Sequence, residues 1–122
     1  MTKCTSLLVR EFWLDGSLVS ACCCLFVGFD DGTWLKAYYN DENYRWVLEA
    51  TTERPDIAKP KGDSQFYYPY KEYLPAHLQD IGALEKSEHR GDTELVLIFS
   101  SGVEVALLYD VRLEESSVTV RA

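Results

Sequence analysis

The chain is poor in the residues that build metal and nucleophile sites. Its two histidines, His77 and His89, each stand alone, whereas a zinc site needs several His or Cys ligands converging at short spacing. Cys22, Cys23 and Cys24 are consecutive and Cys4 stands apart. There is therefore no CxxC pair and no regularly spaced disulfide framework. Phosphate-cradling glycine loops are missing, and Ser100-Ser101-Gly102 is not a nucleophile elbow, which needs Gly-x-Ser-x-Gly between a strand and a helix. Asp30-Asp31 and Asp41-Glu42-Asn43 lack the spaced acidic pattern and closing Glu of a calcium loop. No cofactor and no metal is expected. A Cys–His pair or a carboxylate pair assembled by the fold stays open at this level, because both depend on distances.

Long apolar runs are also lacking. Three apolar residues, Leu7 to Val9, precede Arg10 and Glu11, too few for the core of a secretion signal. The longest apolar stretch, Leu18 to Phe29, is broken by Ser20 and Gly28 and is too short to cross a bilayer as a helix. The expectation is a cytoplasmic protein whose cysteines stay reduced and pack as small hydrophobes. On a regular strand Cys22 and Cys24 would share one face and Cys23 the other.

Positive charge is scarce: the formal net charge is −8. That balance repels phosphates and anionic lipid, so neither nucleic acid nor a membrane is the expected partner. A basic protein is compatible with it. The charged residues are spread along the chain without a like-charge block, and 47 % of the 122 residues are hydrophobic. This is the composition of one globular domain, 1–122, with a core of its own.

What the chain has in quantity is turn chemistry between alternating segments. Leu7 to Leu14 reads as a strand ended by Asp15-Gly16. Leu18 to Phe29 reads as a central strand covered on both faces. Asp30-Asp31-Gly32 supports a hairpin, because Asp and Gly tolerate positive φ. Thr33 to Tyr39 puts Leu35, Ala37 and Tyr39 on one face and Trp34, Lys36 and Tyr38 on the other. Tyr44 to Ala50 alternates again after a turn at residues 40–43. Glu53 to Gln65, with Pro55, Pro60 and Gly62, reads as a loop, and Pro75 to Ile81 as one short helix ended by Gly82. Ala83 to His89, Glu94 to Phe99, Val103 to Tyr109 and Val118 to Arg121 complete the strands, with Arg90-Gly91-Asp92 and Ser100-Ser101-Gly102 as turns.

An offset of about 70 residues lays the last third on the first. Phe29-Asp30-Asp31-Gly32 falls on Phe99-Ser100-Ser101-Gly102, Leu35 on Val105, Ala37 on Leu107 and Tyr39 on Tyr109. The apolar face survives the superposition, as two copies of one unit require. The expected fold is mainly β: two related antiparallel β-meander halves, an internal repeat over 7–50 and 77–121 with a linker at 51–76. They would form one sandwich or barrel-like domain with at most one or two short helices.

The aromatic content is 13 %, and Tyr67, Tyr68, Tyr70 and Tyr73 crowd into one segment. Tyrosine anchors protein interfaces at small entropy cost. With the turn carboxylates they give a candidate partner-binding set: Asp30, Asp31, Asp41, Glu42, Tyr67, Tyr68 and Tyr70. The tyrosines could equally cover an open edge of the core or line the cavity of a small-ligand-binding barrel. An enzyme with an unrecognised cleft site is the remaining alternative.

In size, in acid balance and in the hairpin segment Leu95-Val96-Leu97-Ile98-Phe99-Ser100-Ser101-Gly102-Val103-Glu104-Val105 the chain resembles the small immunity proteins of bacterial toxin systems. The resemblance implies a non-enzymatic domain that blocks one cognate toxin, often a basic nuclease, through acidic and aromatic side chains.

Overall fold

The computed structural model describes residues 3–51, 61–62, 65–72 and 81–121. Among these residues eleven strands follow one another: β1 (Cys4–Leu14), β2 (Ser17–Phe29), β3 (Trp34–Asn40), β4 (Arg45–Thr51), β5 (Lys61–Gly62), β6 (Phe66–Tyr68), β7 (Tyr70–Glu72), β8 (Leu84–Arg90), β9 (Glu94–Phe99), β10 (Glu104–Asp110) and β11 (Glu115–Arg121). The first sheet runs β4-β3-β2-β1-β6-β5, with β7 beside β6 on the far side of β1, and the second runs β11-β10-β9-β8. Both are antiparallel and neither closes on itself, so the domain is sandwich-like and the barrel alternative falls. Among the described residues no helix is long and apolar enough to cross a membrane. The short helix expected at 75–81 lies almost wholly outside the described residues. The expected linker carries three short strands, β5 to β7, and the last two of these pair along β1.

Turn chemistry closes the hairpins. Gly32 (φ 87) and Gly102 (φ 91) take the positive φ that only glycine adopts without strain. Around them the hydrogen bonds repeat: Phe29 N–H donates to Thr33 O at 3.0 Å and Phe99 N–H to Val103 O at 2.9 Å. Alternation then delivers one face of each strand to the space between the sheets. Leu7, Val9, Leu25, Val27 and Ala37 from the first sheet meet Leu95, Leu97, Phe99, Val105 and Leu107 from the second, all buried.

One expectation is corrected by a bulge. Arg10 pairs with Cys24 but Phe12 pairs with Ser20. β2 thus spends four residues where β1 spends two, and within this irregularity the inside–outside alternation breaks between Cys24 and Cys22. Cys22 consequently lies in the inter-sheet core, whereas Cys24 joins Leu8, Phe26 and Trp34 in a second cluster on the outer face of the first sheet. The two cysteines do not share a face.

The two meanders keep the same register. Cys4 pairs with Phe29 and Ser6 with Gly28, skipping one residue; Leu84 pairs with Phe99 and Lys86 with Ile98, skipping one residue in the same place. Trp34 faces Thr51 and Asn40 faces Arg45; Glu104 faces Arg121 and Asp110 faces Glu115. The strand after the first turn is offset by 70 and the strand before it by 80. The difference is the stretch 11–23, which separates Arg10 from Cys24, whereas only 91–93 separates Arg90 from Glu94. β1 and β2 therefore project beyond the rest of their meander as a hairpin arm with its tip at Asp15-Gly16. β8, an edge strand, carries charge along its length, with Glu88 between Lys86 (3.1 Å) and Arg90 (3.1 Å). Such charges discourage another strand from pairing there.

Candidate functional site

At one end of the sandwich two equivalent turns lie side by side. After β3, Asn40 Oδ1 accepts from the N–H of Glu42 (3.0 Å) and of Asn43 (3.4 Å). After β10, Asp110 Oδ1 accepts from the N–H of Arg112 (2.9 Å) and of Leu113 (3.1 Å). Tyr44 and Glu114 end the two turns with the same φ of 54. Just inside them Tyr39 and Tyr109 stack with ring centroids 3.8 Å apart. The Tyr109 phenol is pushed above its ordinary pKa by desolvation and then by the charges of Glu114 and Asp41, so carboxylates from both turns face one ring. These turns expose large apolar side chains, Tyr44 at 68 %, Val111 at 57 % and Leu113 at 61 %. Around them stand the exposed residues Asp41, Glu42, Asp110 and Glu114.

The acidic candidates are split between the two ends. Asp41 and Glu42 belong to this end. Asp30 and Asp31 lie at the other end of β3, a seven-residue strand and so roughly 23 Å away. There they serve the β2–β3 turn: Asp30 Oδ1 accepts from Lys3 N–H (3.1 Å), and Asp31 Oδ1 from Thr33 Oγ1 (2.6 Å) and Thr33 N–H (3.0 Å). The bonds from Thr33 hold the Asp31 carboxyl below its usual range. The two acidic turns thus lie at opposite ends of β3.

The tyrosine candidates lie along β1. Phe12 stacks on Tyr68 at 4.9 Å and on Phe66 at 6.3 Å. The Arg10 guanidinium sits over Tyr68 (4.9 Å) and over Tyr70 (5.6 Å). Tyr70 meets Phe26 edge-on at 5.5 Å, and Lys36 lies over Phe26 (5.9 Å) and Tyr38 (5.2 Å). The row ends where Tyr38 Oη donates to Glu49 Oε1 at 2.9 Å. Aromatic rings and cations thus alternate across the outer face of the first sheet, each ring face offering partial negative charge to the next cation. Arg10 Nε is buried without a hydrogen-bond partner among the described residues. Tyr68 and Tyr70 are members of this row, and Tyr67 projects from the opposite face of β6, 44 % exposed.

Sequence reading passed over Val111, Leu113, Arg10 and Phe12. For the first two a signal existed: at an offset of 70 they fall on Asp41 and Asn43, so apolar residues occupy turn positions that are polar in the other half.

The nucleophile candidates are not activated. Burial pushes the thiols of Cys4 and Cys24 up to about 11 and that of Cys22 up to about 12, opposite to the depressed pKa a thiolate nucleophile needs. Cys23 is raised as well, again chiefly by burial. Ser100 Oγ accepts from Ala83 N–H (2.9 Å) and Ser101 Oγ from Val103 N–H (3.4 Å), so both hydroxyls brace the turn. Among the described residues no group of three or more His, Cys, Asp or Glu is placed to hold a metal ion. Comparison of the chain with protein-family models, with curated proteins and with solved structures finds no match.

Proposed function

We propose that this chain is a non-enzymatic protein-binding domain that engages a basic protein through the paired turns at 41–44 and 111–114. The observation that carries the reading is the exposure of Tyr44, Val111 and Leu113 on turns that also present Asp41, Glu42, Asp110 and Glu114. Turn tips are ordinarily polar. Large apolar side chains ringed by charge are the composition of an interface, with a desolvated centre and a polar rim. The carboxylates steer a basic partner, and the apolar side chains hold it. The net charge of −8 supports the same direction of steering. Within this reading Asp41 and Glu42 keep their role, and Asp30 and Asp31 belong to a separate surface. The type of partner we favour is a toxin that the domain neutralises, on the strength of size and acid balance.

The test uses the whole chain as bait, beside a Tyr44→Ala/Leu113→Ala variant whose fold is checked by circular dichroism. The wild type should retain a specific basic protein that the variant releases. With that protein in hand, charge reversal at Asp41 and Glu42 should slow association, less so as salt is raised. Removal of Tyr44 or Leu113 should instead speed dissociation. Identical proteins on both baits would overturn the reading.

A further inference from the structure

The second meander lacks the long arm of the first, and there it leaves a cleft. It measures about 510 Å³ and lies between the start of β4 and the β8–β9 turn, lined by Tyr44, Arg45, Trp46, His89 and Asp92. The register correspondence puts its counterpart in the first meander between the start of β11 and the base of the β1–β2 arm. His89 corresponds to Val9, Gly91 to Glu11, Asp92 to Cys22 and Trp46 to Ser116. A cavity does exist there, lined by Val9, Glu11, Cys22 and Ser116, but it is only about 240 Å³. The extra length of the arm accounts for the difference: β2 lies against β11, whereas β9 makes no comparable approach to β4. The first meander thus partly fills with its own arm the space that the second leaves open.

We propose that the cleft beside β4 takes the arm tip of a second copy of this chain, so that two copies exchange arms reciprocally. The arm is suited to reach it. From Glu11 to Asp15 it extends roughly 13 Å at the usual strand rise, with β6 alongside its β1 strand. Its tip exposes Leu18 (47 %) and Val19 (44 %), apolar surface without a place in the core. Charge is complementary: the tip carries Asp15 and the cleft carries Arg45, both exposed, and neither has an ion-pair partner among the described residues. Leu18 and Val19 would meet the Tyr44–Trp46 wall. Among the described residues β4 is the outermost strand of its sheet. Each copy has one arm and one cleft: a reciprocal exchange closes as a two-fold dimer, whereas a one-way exchange propagates head to tail, and the mass found in solution separates the two.

This inference shares Tyr44 with the partner reading above, since an arm seated in the cleft would cover that ring. Its test is separate: Asp15 and Arg45 are outside the residues on which that reading rests, and self-association is measured on the purified chain alone. Sedimentation equilibrium near 0.15 M salt, where the Debye length of about 8 Å screens the overall repulsion between copies, should find a dimer. The Asp15→Arg and Arg45→Asp chains, each confirmed folded by circular dichroism, should each dimerise about tenfold or more weakly, as expected for reversal of a close interfacial charge pair. Mixing the two variants should restore a dimer. In the mixture each altered arm meets an altered cleft, and each native arm meets a native cleft. A chain that stays monomeric to millimolar concentration, a dimer indifferent to both reversals, or a mixture no tighter than its components would each overturn the proposal.

Discussion

Tyr39 and Tyr109 occupy equivalent positions of β3 and β10 and stack on one another, ring centroids 3.8 Å apart and planes 14° from parallel. One residue type at one register position in each half meets its own counterpart across the space between the sheets. Trp46 closes the pair edge-on against Tyr39 at 5.6 Å.

The stack should be measurable as a coupling. Tyr39→Ala and Tyr109→Ala should each destabilise the fold, and a double-mutant cycle by denaturant unfolding should return about 0.5–1.5 kcal/mol for the pair beyond the burial of each ring. A coupling near zero would mean that the rings only fill space.

Trp46 has a second duty. Its buried Nε1–H donates to Thr93 O at 2.8 Å, tying β4 to the β8–β9 turn. That carbonyl also accepts from Tyr109 N–H at 2.9 Å. Trp46→Phe should therefore cost only about 1–2 kcal/mol, since the acceptor stays satisfied, and Trp46→Ala about 3–5 kcal/mol. Equilibrium unfolding of the two variants separates the hydrogen bond from the ring.

The buried thiols predict a loss of stability in alkali. A thiol whose folded pKa is raised stays protonated in the native state while the unfolded chain ionises. The native state then holds more protons, and stability falls as pH rises. For Cys4, Cys22 and Cys24 the window opens near the ordinary value of 9.0 and closes at about 11 to 12. Within it each thiol should contribute a slope of up to about 1.4 kcal/mol per pH unit. Unfolding midpoints across pH 8 to 11, in wild type and in Cys22→Ala, would check both the sign and the origin. In the native state at neutral pH, Cys23, half-buried where its neighbours are buried, should be the first of the three consecutive cysteines to be alkylated.

Two glycines should fail for different reasons. A Cβ on Gly28 would stand 2.7 Å from the Trp34 ring, whereas at Gly32 nothing lies within 4 Å but φ is +87. Gly28→Ala should cost about 1–3 kcal/mol by overpacking and shift tryptophan fluorescence as the indole is displaced. Gly32→Ala should cost about 1 kcal/mol through backbone strain alone and leave the fluorescence unchanged.

The meanders were legible because their information is local. The alternation of Leu35, Ala37 and Tyr39 against Trp34, Lys36 and Tyr38, and the glycines after each hairpin, assign strand, face and turn within a few residues. What was illegible depends on insertion or on distance. The bulge opposite Arg10 and Phe12 carries no residue signature, so strand alternation alone puts Cys22 and Cys24 on one face. β6 and β7 read as a linker because their pairing partner, β1, lies more than fifty residues earlier. The acidic candidates split for a simpler reason: consecutive turns of a meander sit at opposite ends of the strand between them. Asp30-Asp31 and Asp41-Glu42 could not meet.

The pairing of β1 on its far side sets the order of assembly. Each meander hairpin closes across a handful of residues, at small entropic cost. By contrast, the Leu8–Glu72 and Arg10–Tyr70 pairs each close a loop of about sixty residues, and such contacts form late because the chain entropy is lost before the contact is gained. The row of rings and cations across the outer sheet draws Tyr68 and Tyr70 from this late segment. Its stacking therefore arrives after both meanders exist, and on unfolding it should be the first part to part. Amide hydrogen exchange should then find β6 and β7 opening on their own, well below the free energy of the β9–β10 hairpin.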